Sequence, residues 1–152
     1  MLYPILVWLH VVAAAIAVGA NVTYGVWLAR VRTHPGALPF TLATVKFIDD
    51  RIANPAYVFV AITGVVLVWL GPLSFTTPWV LASIVLFLAV AAIGFLMYTP
   101  TLKAQVALAE ARRQDTAEFA ALSRTGRILG PLIGVLVVAI LFLMVVQPPL
   151  WG

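Results

Sequence analysis

The sequence predicts an all-α fold: a polytopic membrane protein built as an up-and-down bundle of four transmembrane helices, with both termini outside. Three observations predict it. The composition is 64% hydrophobic and 9% charged, whereas charged residues make up about a quarter of an ordinary soluble domain. The nine basic and five acidic side chains all fall in two windows, Arg30 to Arg51 and Lys103 to Arg127. Charge-free runs over 1–29, 52–102 and 128–152 surround those windows, and at about 20 apolar residues per crossing they supply one, two and one spans.

The first span is placed near 3–29. Its apolar run is too long for a signal h-region and no basic residue precedes it, so it reads as a retained helix rather than a cleaved leader. A loop at Thr33-His34-Pro35-Gly36 follows. Leu42, Val45, Ile48 and Ile52 then recur at helical spacing, which predicts a short interfacial helix. Asn54 is expected to cap the second span and Pro55 to open it, near 55–70.

Gly71-Pro72 and Pro78, with Ser74, Thr76 and Thr77 between them, form the turn to a third span near 78–99. Helix-forming residues continue from Lys103 to Arg113, so that helix should run on past a kink at Pro100. Asp115 and Glu118 suggest a capping box for the last helix, whose span is placed near 128–147. The whole reads as one domain, 1–152. Gly126, Gly130 and Gly134 recur every fourth residue at its start. That spacing allows a close helix approach, first of all within the chain, with a homodimer or a larger membrane complex as the alternative.

All nine basic residues belong to the two segments on one side, which the positive-inside rule assigns to the cytoplasm. Trp8, Trp69, Trp79 and Trp151 then fall at the outer boundary and Trp27, Tyr24, Tyr57 and Tyr98 at the inner one, as interfacial belts. The net charge of +4 is juxtamembrane and suits anionic lipid rather than nucleic acid. The absence of cysteine excludes disulfides, iron–sulfur ligation, c-type haem attachment and thiolate nucleophiles.

His10 is the one Asp, Glu, Lys, Arg or His expected inside the bilayer, about 10 Å below the outer boundary at 1.5 Å per residue. Tyr3, His10, Ala14, Ala17, Asn21 and Tyr24 share one helix face, which should turn inward because lipid cannot satisfy imidazole or carboxamide groups. Three roles are open to His10: polar glue to Thr63 or Ser83, a cofactor ligand, or a titrating group. As a ligand, its partner at similar depth is Met144, and a His/Met pair suits haem or Cu(I). Tyr3 and Asn21 would be polar donors around such a cofactor.

Haem propionates favour basic partners, which the outer half lacks; Arg30 or Arg127 would serve only a haem lying deeper, away from His10. His34 reads as solvated. Asp49, Asp50, Glu110, Asp115 and Glu118 alternate with basic residues and read as a solvated face, not an acid/base pair. No acidic relay at membrane depth, phosphate loop, metalloprotease motif or nucleophile with a base beside it is present.

Leu9-His10-Val11-Val12-Ala13-Ala14-Ala15 through Gly19, Asn54-Pro55 with Thr63-Gly64, and the ending Met144-Val145-Val146-Gln147-Pro148 resemble an uncharacterised bacterial family of short four-helix integral membrane proteins. More distantly they resemble the copper-resistance D domain and HemJ-type protoporphyrinogen oxidases, in which a first-helix histidine precedes a glycine, as His10 precedes Gly19. The resemblance implies a four-helix fold in the bacterial cytoplasmic (inner) membrane and haem or porphyrin binding at His10. Ala17 stands where a tryptophan is common, and no lysine lies within the spans.

The leading expectation is therefore a membrane protein holding haem b or a related porphyrin against His10, in a redox or tetrapyrrole-handling role. The alternatives are an accessory or assembly subunit docking through the glycine-spaced fourth helix, and copper handling by His10 and Met144.

Overall fold

The computed structural model describes residues 1–151. Among them every element is helical: α1 (Leu2–Arg30), α2 (Leu38–Ile48), α3 (Asn54–Leu70), α4 (Pro78–Ile93), α5 (Thr99–Glu110) and α6 (Ala117–Val146). Four continuous helical stretches are long and apolar enough to cross a membrane, Leu2–Thr33, Pro35–Leu70, Pro78–Glu110 and Ala117–Val146. The chain is an all-helical, four-span bundle running up and down, so its ends lie on the same side and its charged segments on the other.

Two of these stretches are longer than a crossing needs. Pro35–Leu70 has 36 residues, about 54 Å at helical rise against a hydrocarbon core of about 30 Å. The charged residues Lys46, Asp49, Asp50 and Arg51 all lie before α3, so α3 is the crossing part and α2 lies at the charged end. In the same way α4 crosses, while α5 continues beyond it and packs on α2 and α6.

Neither junction is a break. Asn54 does not cap α3, because the helix arrives unbroken from α2 through a π-helical turn, Asp49–Ala53. Pro100 marks no simple kink either; a second π-helical turn, Gly94–Tyr98, joins α4 to α5. The cause is common to both. Pro55 and Pro100 have no N–H to return to the residue four before, and their rings crowd that carbonyl. The helix widens instead, with Asn54 N–H bonding Asp49 O and Thr99 N–H bonding Gly94 O.

The cap of α6 is Thr116, one residue after the expected Asp115. Its hydroxyl accepts from Phe119 N–H at 3.3 Å, while Glu118 pairs with Arg113. At the other end Gln147 closes the helix in the left-handed region, φ 50°.

The main core lies at the charged end, where Leu42, Val45, Tyr98, Leu102, Leu108, Phe119, Leu129 and Ile133 are buried together; a smaller cluster of Trp79, Val80 and Leu143 closes the other end. Between them packing is uneven. α1 packs on α3 and α4 on α6, whereas α1 meets α6 over a short stretch and α3 scarcely touches α4. Two clefts result. The outward faces carry Val11, Ile16, Val65, Leu88 and Val135, all exposed, as lipid-facing helices require.

Candidate functional site

The expected inward face of α1 is inward. Ala17 and Tyr24 are buried, and Tyr3, His10, Ala14 and Asn21 are half-buried. Near the uncharged end His10 Nδ1 lies 2.8 Å from Thr63 Oγ1 on α3. Thr63 Oγ1 also lies 2.7 Å from Phe59 O and 3.2 Å from Val60 O; with its one hydroxyl proton given to either carbonyl, Nδ1 is the donor to Thr63 and Nε2 carries the lone pair by which a neutral imidazole ligates a metal. Gly64 leaves room for the ring, since a Cβ there would stand 3.3 Å from His10 Cε1. Ser83, the other expected partner, bonds Trp79 O within its own helix.

The other residues expected around a cofactor each have contacts of their own. Met144 packs with Trp79, Val80 and Leu143. Tyr3 lies against Gly71, where an added Cβ would come within 2.7 Å of its ring and hydroxyl. Asn21 donates to Tyr57 OH and to Ala17 O, nearer the charged end. Among the described residues no group of three or more His, Cys, Asp or Glu side chains is placed to hold a metal ion.

A second polar cluster at the charged end of the spans was not evident in the sequence. Asp49, read there as part of a solvated face, is 5% exposed. Its Oδ2 accepts from Thr99 Oγ1 at 3.1 Å and from Asn54 Nδ2 at 3.3 Å. Both donors adjoin a proline and a π-helical turn, so the two widened turns meet at this carboxylate. Asp49 lies before α3, outside the crossing segment, and burial pushes its carboxyl above the usual range, against the pull of the Thr99 hydrogen bond and the Lys46 charge. Lys46 itself pairs with Asp50.

Tyr24, Tyr57 and Tyr98 turn inward toward this cluster rather than forming an interfacial belt; Tyr24 and Tyr98 are buried. Trp27 does face outward, whereas Trp79, expected in the outer belt, is buried. The Tyr24 hydroxyl is buried and has no hydrogen-bond partner among the described residues, an uncommon condition for a buried polar group.

Two cavities open on either side of the cluster and share Asn21, Tyr98 and Ile133. The smaller, about 210 Å³, lies between α3 and α4 and has Asp49, Asn54, Tyr57 and Thr99 among its lining. The larger, about 610 Å³, lies between α1 and α6; it is lined by Tyr24, by Gly126, Gly130 and Gly134, and toward the charged end by Arg32, Gln105, Ser123 and Arg127. His10 and Met144 line neither.

The glycine-spaced face of α6 is thus not seated on another helix of this chain, as was expected. A Cβ at Gly130 or Gly134 would meet nothing within 4 Å. Gly126 comes no closer than 3.6 Å to the Gln105 side chain. The three glycines form a smooth wall of the larger cleft.

A family model described as "Predicted integral membrane protein (DUF2269)" matches residues 4–148, and the chain belongs to that family. No curated protein and no solved structure matches it.

Proposed function

We propose that this protein is a membrane-embedded binding protein for an amphipathic acidic molecule, held in the cleft between α1 and α6. One observation carries the reading: a single 610 Å³ cavity joins a smooth apolar wall to two arginines at the charged end. Neither Arg32 nor Arg127 is in an ion pair among the described residues. A carboxylate or phosphate head suits those guanidiniums, and the hydrocarbon body suits the glycine wall. By the positive-inside rule the charged end is cytoplasmic, and the membrane we propose for it is the bacterial inner membrane.

A tetrapyrrole is one such molecule, but haem b ligated by His10 does not fit this arrangement. His10 and Arg32 are 22 residues apart on one helical stretch, about 33 Å at helical rise, which is the thickness of the hydrocarbon core. Haem on His10 would leave its propionates without basic partners. A porphyrin with its carboxylates on Arg32 and Arg127 would not be held by His10. Copper shared by His10 and Met144 finds no support in the packing of Met144 with Trp79.

The test is extraction into polymer-bounded native discs, followed by mass spectrometry of the small molecules retained. The parent is expected to enrich one anionic amphiphile over the surrounding membrane, and Gly130→Leu and Arg32→Gln/Arg127→Gln to lose it. Equal content in all three discs would overturn the reading. A Soret band lost on His10→Ala but kept by the cleft variants would restore the His10 haem. The openness of Gly130 and Gly134 also favours a second reading, in which a helix of another subunit fills the cleft; a protein partner, rather than a lipid, lost on Gly130→Leu would identify it.

A further inference from the structure

We propose that the smaller cavity, between α3 and α4, binds a small lipophilic cation, a protonated amine or quaternary ammonium, with Asp49 as its counter-ion. The inference rests on neither the larger cleft nor its ligand. Asp49 is 5% exposed and has no ion-pair partner among the described residues, since the one lysine near it is bound to Asp50. Both hydrogen bonds it receives go to Oδ2, which leaves Oδ1 unengaged, and Asp49 is among the residues that line the cavity. A buried carboxylate without a counter-charge is costly and must either be paired or take a proton. The cavity beside it is where a pairing charge can sit.

The walls select the kind of cation. The same cavity is lined by Tyr57, Phe87, Phe95 and Tyr98, rings that attract a cation through their quadrupoles. Calcium and magnesium demand six or more oxygen ligands or retained water. This cavity offers one carboxylate and mostly hydrocarbon instead. Its 210 Å³ equals roughly seven water molecules' share of liquid volume, room for a trimethylammonium group with one ring. Access is lateral, because α3 and α4 scarcely touch, and a lipophilic cation partitions into the membrane from which that gap opens.

The two π-helical turns shape the site. Each precedes a polar residue and a proline, Asn54-Pro55 and Thr99-Pro100, and each delivers that polar side chain to Asp49 Oδ2. Such turns within α-helices are frequent at functional positions. Here both orient one carboxylate, so that its second oxygen is left for a ligand.

The experiment is saturation binding of isotope-labelled benzyltrimethylammonium to the full chain in lipid discs, with neopentylbenzene, its uncharged isostere, as competitor. Saturable binding to one site is expected, unaffected by neopentylbenzene, and weakened at least tenfold by Asp49→Asn, which preserves the side-chain shape. Ala61→Phe, which fills the cavity without touching Asp49 chemistry, is expected to weaken it equally, and His34→Ala in the exposed loop to leave it unchanged. Binding that does not saturate, competition by neopentylbenzene, or retention in a folded Asp49→Asn or Ala61→Phe variant would overturn the proposal.

Discussion

Replacing Thr63 by valine tests the contact that fixes the state of His10. Thr63 is 4% exposed, its hydroxyl is in reach of Phe59 O, and with its proton on that carbonyl it accepts Nδ1–H from His10, 2.8 Å away. Valine keeps the shape and leaves that N–H facing a methyl group. Leaving a buried donor unpaired costs about 1–3 kcal/mol, while hydrogen bonds between membrane helices average about 0.6 kcal/mol and reach about 1.7. His10 is only half-buried, so Thr63→Val should cost about 1 kcal/mol, of which roughly half is specific to His10. A double-mutant cycle with His10→Phe, read by unfolding in mixed micelles, should return a coupling of about 0.5 kcal/mol. Nitrogen NMR of the imidazole should show Nδ1 protonated and Nε2 bare in the parent. A coupling indistinguishable from zero, or a proton on Nε2, would refute the reasoning and with it the availability of Nε2.

Three further outcomes are expected. Gly71→Ala should destabilise by about 1–3 kcal/mol, because its Cβ would stand 2.7 Å from both Leu67 O and Tyr3; Gly134→Ala, with nothing within 4 Å, should lie within about 0.5 kcal/mol of the parent, and thermal unfolding of the pair checks the contrast. Thr116→Ala removes the side-chain cap of α6 and should cost about 1 kcal/mol in the same assay. Asp49 ionises less readily folded than unfolded, so raising pH through the unfolded value near 4 favours the unfolded chain until the folded carboxyl has also ionised. Stability measured against pH should therefore show Asp49→Asn gaining on the parent as pH rises across that window, and no gain would show that Asp49 is not desolvated.

The fold was legible because its signals are coarse and independent of tertiary detail. Charge windows, a Gly-Pro turn and helix-length apolar runs survive any arrangement of the bundle, and the inward face of α1 followed from six residues at helical spacing. The cluster around Asp49 was hidden for a local reason. Next to Lys46, Asp50 and Arg51 an aspartate looks solvated, yet Asp49 follows Leu42 and Val45 at helical spacing and is buried on their face. That spacing was the available signal, together with the polar-residue–proline pairs, Asn54-Pro55 and Thr99-Pro100, within otherwise apolar helices. The glycine repeat misled differently. Its spacing permits close approach but contains nothing that supplies the approaching helix.

Cavities in this bundle carry less information than the polar atoms inside them. In water an apolar cleft of several hundred Å³ is a cost that folding avoids, whereas in a bilayer acyl chains fill it and no hydrophobic force closes it. The gaps between α1 and α6 and between α3 and α4 would therefore be unremarkable if hydrocarbon alone lined them. Acyl chains cannot satisfy a guanidinium or a carboxylate oxygen. Arg32 and Arg127, in no ion pair among the described residues, and Asp49 with both its hydrogen bonds on one oxygen, are thus the features that lipid leaves unexplained. They lie on opposite sides of the partition formed by Asn21, Tyr98 and Ile133, one cleft ending in arginines and the other in an aspartate. Opposite charges at the ends of two separate apolar cavities select opposite ligands, so an anionic amphiphile and a lipophilic cation should each ignore the other's cleft.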